Sequence, residues 1–232
     1  MTINNILQVE NLEVRYGKNI AIDNITFTLP RGEIVGLVGE NGCGKTTLMR
    51  TLAGMIQKYK GSVKINGRTN TWETKEVVCY YPSNPYYDVN ATLEQTIKLY
   101  SALYHGYNQE LAYEMFEQFG FDLSFRMNQL SKGKCALAMF ILQLSKSAQL
   151  YIFDEPFSGI DIKTRSQMKE ALLRHVRPDI TYLISTHEIT DMESLFDRIV
   201  LVKEGKIVLN DVVDELREQY GKSVVEIVKE GL

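Results

Sequence analysis

Residues 39–46 read Gly-Glu-Asn-Gly-Cys-Gly-Lys-Thr and fit the pattern G-x-x-x-x-G-K-[ST]. No other stretch restricts the fold as strongly. Its chemistry works only where a buried strand ends, a glycine-rich loop turns and a helix begins. The flanks supply that context. Ile34-Val35-Gly36-Leu37-Val38 is a short apolar run that reads as a buried strand, and Lys45 to Ala53 has helical spacing closed by Gly54. In such a loop the glycines let backbone N–H groups turn inward around phosphate oxygens. The helix beginning near Lys45 adds the positive end of its dipole. Lys45 brings a full charge for the β and γ phosphates, and Thr46 brings a hydroxyl for Mg²⁺. The expected nucleotide contacts are therefore Gly39, Asn41, Gly42, Cys43, Gly44, Lys45, Thr46 and Thr47. Cys43 lies near that helix end and Lys45, positive fields that favour a reactive thiolate. The loop implies nucleotide binding and does not say which machine uses it.

A second constraint is Leu150-Tyr151-Ile152-Phe153 running into Asp154-Glu155. An apolar strand that ends in two carboxylates, in a chain with a phosphate loop, points to a metal and a proton acceptor. Asp154 is placed to hold Mg²⁺, directly or through water. Glu155, one residue further, points differently and is the natural general base for an attacking water.

The remaining pattern alternates short buried strands with helices. Ile6–Val14 and Ala21–Leu29 alternate like antiparallel strands joined near Gly17. Ser62–Ile65 ends at Asn66-Gly67, a hairpin turn. Residues 92–125 have helical spacing and many aromatic residues, and Lys132–Lys146 reads as one helix. Ile162–Val176 reads as a helix and Ile180–Ile184 as a buried strand. Ile199–Val202 and Lys206–Leu209 flank Glu204-Gly205 as a hairpin, and the tail from Asp211 reads as a helix with a last strand. This predicts an α/β fold with a parallel sheet covered on both faces, an antiparallel region at the amino end, and a helical subdomain.

Composition removes several alternatives. With 44% hydrophobic residues among 232, a folded core is expected. A formal net charge of −3 without a basic stretch gives no support to a nucleic-acid partner. Three scattered cysteines, Cys43, Cys79 and Cys135, fit neither a disulfide framework nor a zinc cluster and suggest a reducing cytoplasm. Met1 to Val9 lacks the pattern of a signal peptide. The longest clean apolar run, Cys135–Leu142, falls short of the roughly 18 residues that a membrane span needs.

Further motifs follow in an order that resembles the ABC (ATP-binding cassette) ATPase family. Leu130-Ser131-Lys132-Gly133-Lys134 resembles the signature motif at a helix start. Phe157-Ser158-Gly159-Ile160-Asp161 resembles the D-loop, His187 the switch histidine, and Tyr16 the aromatic residue that stacks on adenine. The resemblance spans nearly the whole chain. It implies a P-loop NTPase (RecA-like) core over about residues 1–82 and 147–232, with a helical subdomain over 83–146. Two departures stand out. The family's usual glutamine between subdomains is matched by Ser83 in Tyr81-Pro82-Ser83-Asn84-Pro85, a residue with the oxygen but a shorter reach toward a metal. Lys132 stands where the signature usually has glycine, while Ser131 and Gly133 remain for phosphate.

The resemblance also implies a mechanism. ATP would lie between the phosphate loop of one cassette and Ser131 and Gly133 of another, in a homodimer or a heterodimer with another ABC ATPase subunit. Lys45, Glu155 and His187 would be catalytic, and Thr46, Asp154 and Ser83 would face Mg²⁺. The expected partner is a separate transmembrane permease subunit. It would dock beside Ser83–Asp88 and the first helix after Thr92, where Tyr86 and Tyr87 follow Pro85 in a loop and Tyr100, Tyr104 and Tyr107 recur at three or four along one helical face, which suggests an aromatic surface. The chain would then be cytoplasmic and peripheral on the inner face of the cell membrane. The alternative is a soluble ABC ATPase of translation or cofactor assembly. An unrelated phosphate-loop kinase is disfavoured by the signature and His187.

Overall fold

The structure is a computed structural model that describes residues 5–230; positions 1–4 and 231–232 of the expected domain lie outside the described residues. In chain order the elements are β1 (Asn5–Tyr16), β2 (Asn19–Pro30), β3 (Ile34–Val38), α1 (Lys45–Leu52), β4 (Lys60–Ile65), β5 (Arg68–Thr69) and β6 (Val78–Tyr81). Then come α2 (Leu93–Leu103), α3 (Gln109–Gln118), α4 (Lys132–Leu144), β7 (Leu150–Phe153) and α5 (Ile162–His175). The last are β8 (Thr181–Thr186), β9 (Arg198–Lys203), β10 (Lys206–Val212), α6 (Val213–Tyr220) and α7 (Val224–Glu230). The described chain divides into two compact units: residues 5–80, 149–155 and 177–230, and residues 81–148 and 156–176.

The first unit holds two sheets. One is antiparallel in the order β2-β1-β4-β5; the other has the order β10-β9-β3-β8-β7-β6. In the second sheet β3 runs parallel to β8 and β9, and β7 parallel to β8. Every residue of β3, β7 and β8 is buried, as strands covered on both faces must be. The alternating inward residues of β1 and β2, among them Leu7, Val9, Ile22, Phe27 and Leu29, share one apolar core with Leu48, Met49 and Leu52 of α1 and with β3. Gly36, at the centre of β3, lets Phe196 and Ile199 close in, because a Cβ there would lie 2.7 Å from the Phe196 ring. The α/β architecture with parallel and antiparallel sheets is the one the sequence pattern predicts.

The second unit is helical and is built around α4. All residues of α4 from Leu137 to Leu144 are buried, so this stretch is covered on every side and α2, α3 and α5 pack about it. Each of these helices starts on a side-chain cap. Thr92 and Gln95 form a reciprocal capping box, Asn108 caps α3, Ser131 caps α4, and Asp161 caps α5.

Four local features differ from the expectations. The stretch 92–125 is two helices, because Gly106 takes a left-handed turn (φ +72°) between them. Consequently Tyr100, Tyr104 and Tyr107 do not line one helical face. They cluster at the break, with ring centroids 5.2 and 5.9 Å from Tyr100, and Lys146 sits over Tyr104 at 3.7 Å. Leu99 and Leu103 are exposed, whereas Phe116 and Phe119 are core. Strand β6 has too short a pattern to stand out in the sequence. The tail beyond Gly221 is a helix, α7, rather than a strand; Val224 and Ile227 are buried on its inner face. Residues 156–176, placed with the core by the sequence, group with the helical unit, where Phe157 meets Phe140 at 5.9 Å.

Candidate ATP-hydrolysing site

The site in the first unit grows from three strand ends. Strand β3 delivers the loop Gly39–Gly44, β7 delivers Asp154 and Glu155, and β8 delivers Ser185 and His187. The parallel pairings β3–β8 and β7–β8 set these ends side by side. Gly39, Gly42 and Gly44 all have positive φ, which turns the loop around its own N–H groups. Gly44 precedes Lys45 as the α1 cap, and a Cβ there would lie 2.7 Å from the Ala21 carbonyl. The Gly205 N–H donates to the Cys43 carbonyl at 2.9 Å, so the β9–β10 turn braces the loop. A cleft of about 910 Å³ runs past Gly39–Cys43 and His187–Asp191, within the roughly 300–1,000 Å³ of small-ligand sites.

Lys45 is 6% exposed. Its ammonium donates to the carbonyls of Gly39 (2.7 Å) and Glu40 (3.1 Å). An ammonium has three N–H groups, and Glu155 Oε1 lies 3.6 Å away. The cation is thereby held at the mouth of the loop.

Asp154 is fully buried. Three hydroxyls hold its carboxylate: Thr46 Oγ1 and Ser185 Oγ donate to Oδ1 at 3.1 and 3.0 Å, and Tyr80 OH donates to Oδ2 at 3.3 Å. Burial pushes the Tyr80 phenol above its ordinary pKa, the Asp154 charge acts in the same direction, and Arg50 opposes them. Glu155 has φ +52°, a left-handed conformation that costs a non-glycine residue roughly 1–2 kcal/mol. The Ser185 hydroxyl accepts its N–H at 2.8 Å and holds that turn. One Glu155 oxygen, Oε2, meets His187 Nδ1 at 2.8 Å, while Oε1 is buried without a hydrogen-bond partner. Because a carboxylate only accepts, Nδ1 carries the proton in this arrangement. His187 Nε2 faces Glu188 at 3.8 Å.

Lys45, Thr46, Asp154, Glu155 and His187 therefore converge, as their motifs lead one to expect. Tyr16 ends β1 and is 53% exposed. Asn41 and Gly42 are exposed on the loop, and Cys43 is half-buried. Thr47 holds the next helical turn, its carbonyl accepting from Thr51 Oγ1 at 2.8 Å. Tyr80 and Ser185 are additions that the motifs missed. Ser185 lies two positions before His187 in the sequence, but its tie to Asp154 and Glu155 appears only when β7 and β8 pair. Tyr80 carries a faint signal, the alternation of β6, and its target cannot be read from it.

The remaining expected residues belong to the helical unit. Ser83 is exposed after β6. Ser131 caps α4, its hydroxyl accepting from the Lys134 N–H at 3.3 Å. Gly133 sits against the α5 cap, where a Cβ would lie 2.5 Å from Thr164 Oγ1 and 2.7 Å from Asp161 Oδ2. The Thr164 N–H and hydroxyl donate to Asp161 and hold its carboxyl below the usual range.

The ABC transporter family model matches residues 22–158. The chain is 29% identical over 225 residues to the ABC-type transporter ATP-binding protein EcsA of Bacillus subtilis strain 168, covering 93% of this chain and 91% of EcsA. It is 28% identical over 233 residues to the SkfA peptide export ATP-binding protein SkfE of the same organism, covering 97% and 98%. Among solved structures, an ATP-binding subunit of an ABC transporter superposes with a TM-score of 0.85 at 26% identity, covering 97% of this chain and 98% of that one. The matched segment contains the phosphate loop, Tyr80 and the Asp154-Glu155 pair, and the chain belongs to the ABC transporter family as an ATP-binding, ATP-hydrolysing subunit.

Proposed function

We propose that this chain supplies the power stroke to a separate membrane-embedded permease subunit by binding and hydrolysing ATP at the Lys45–Asp154–Glu155–His187 site. The carrying observation is Glu155. Its Oε2 is anchored on His187, while its buried Oε1 has no hydrogen-bond partner and faces Lys45. An acceptor oxygen held beside a phosphate-binding lysine is placed to orient a water and take its proton. His187 then orients the base through Nδ1. The loop N–H groups and Lys45 bind the β and γ phosphates and offset the charge that develops on them.

The donor set fits Mg²⁺. Thr46 and Asp154 put two hard oxygens 3.1 Å apart beside the loop, and Mg²⁺ typically takes one or two protein oxygens, phosphates and water. Bound there, the metal supplies charge neutralisation to the phosphates. Ser83 is the further candidate for that shell.

The relatives' names support transport: EcsA is an ABC-type transporter ATP-binding protein, and SkfE serves peptide export. Among the described residues no helix is long and apolar enough to cross a membrane, which fits a chain peripheral on the inner face of a membrane and paired with a permease. Tyr86, 94% exposed after Pro85, supports docking beside Ser83–Asp88. Ser131 and Gly133 would complete the ATP site of a second cassette, in a homodimer or a heterodimer. Phosphate release by the purified chain tests the site: Lys45→Ala should remove it, and unchanged turnover would contradict the reading. Co-purification with the permease tests the partner: Tyr86→Ala with Tyr87→Ala should weaken it while ATP binding persists.

A further inference from the structure

We propose that Tyr80 is a positioning residue for the metal-facing carboxylate, its phenolic hydroxyl fixing the Asp154 side chain so that one oxygen faces Mg²⁺. This rests on the reading of Asp154 given above. Tyr80 occurs on β6 at a point where strand alternation turns Cys79 and Tyr81 into buried positions and leaves Tyr80 half-buried. Its ring packs against the core of the first unit, which limits its rotamers. Its hydroxyl reaches Asp154 Oδ2 at 3.3 Å.

The direction of that hydrogen bond follows from the partners: an ionised carboxylate only accepts, so the phenolic proton goes to Asp154. Arg50, in the last turn of α1, is a cation near enough to the phenol to oppose the rise in its pKa that burial causes. It stands on the helix that begins with Lys45 and carries Thr46, the second residue of the metal-facing pair. The Asp154 carboxylate thus has Oδ1 between two hydroxyls, Thr46 and Ser185, and Oδ2 under Tyr80. Without Tyr80, Oδ2 would lose the donor that fixes the plane of the carboxylate. Outer-shell hydrogen bonds to a metal ligand orient it and tune its affinity, and removing one lowers metal affinity about 10- to 100-fold in typical sites.

Tyr80→Phe removes the hydroxyl and keeps the ring, so packing of β6 is retained. Two titrations on the full-length chain separate metal positioning from a structural role. The first measures binding of a non-hydrolysable ATP analogue without metal. The second follows Mn²⁺ by electron paramagnetic resonance with that analogue bound. Tyr80→Phe should keep the metal-free affinity and weaken Mn²⁺ binding by about tenfold. Wild-type Mn²⁺ affinity in Tyr80→Phe, or an equal loss with and without metal, would overturn the proposal. Asp154→Asn is run in parallel. If it loses Mn²⁺ while Tyr80→Phe does not, the Tyr80 inference alone fails. If it binds Mn²⁺ like wild type, the Asp154 reading fails and takes the inference with it.

Discussion

Ser185 shows how one hydroxyl ties two neighbouring acidic residues together. It donates to Asp154 Oδ1 and accepts from the Glu155 N–H, and it is fully buried. Ser185→Ala would leave that N–H unsatisfied, at a cost of about 1–3 kcal/mol, and would release the left-handed Glu155 turn. The expected outcome is a lower kcat with little change in KM for ATP, since neither Lys45 nor the loop is touched. Steady-state phosphate release against ATP concentration checks it, and a change confined to KM would contradict it. Cys43 makes a second residue-scale test. Cys79 and Cys135 are buried and Cys43 is half-buried in the loop, so a maleimide should label Cys43 first. Burial raises the pKa of the Cys135 thiol, which makes it less reactive still. Labelling should block ATP binding, and MgATP should protect. Mass spectrometry finding Cys79 or Cys135 modified while Cys43 is intact would show that the loop shields its thiol.

Among elements, α4 and α5 of the helical unit are locked by their first turns. Gly133 leaves no room for a side chain beside Asp161 and Thr164, the pair that caps α5. Gly133→Ala should therefore destabilise by about 1–3 kcal/mol, as overpacking does. For a chain of this size that is a fall of about 2–4 °C in thermal midpoint per kcal/mol, measurable by circular dichroism. An unchanged midpoint would mean that the two helix starts move apart freely. The same helices show the limits of reading elements from sequence. The starts of α4 and α5 are legible as the onset of helical spacing at Lys132 and Ile162, where the structure adds the caps Ser131 and Asp161 acting on N–H groups only three residues away. The break at Gly106 is not legible, since the tyrosine spacing continues through it. Strand β6 and helix α7 are illegible for another reason: each is short and takes its stability from pairing or packing with distant residues.

At the scale of the whole molecule, the phosphate loop, the two sheets and the carboxylate pair were readable because their flanks are local, a buried strand followed by a turn. The joins between them were not. Tyr80 lies 74 positions from Asp154, and Ser185 lies 31, so their hydrogen bonds exist only after the strands β6, β7 and β8 have paired. That assembly brings the separate motifs together at one place, and the proposed role of Glu155 there is that of the base. The claim is tested by incubating wild type and Glu155→Gln with ATP and Mg²⁺, isolating the protein and identifying the nucleotide it carries. Wild type should release phosphate and return ADP; Glu155→Gln should bind ATP with similar affinity, return it as ATP and release no phosphate. Phosphate release by Glu155→Gln at the wild-type rate would contradict the account.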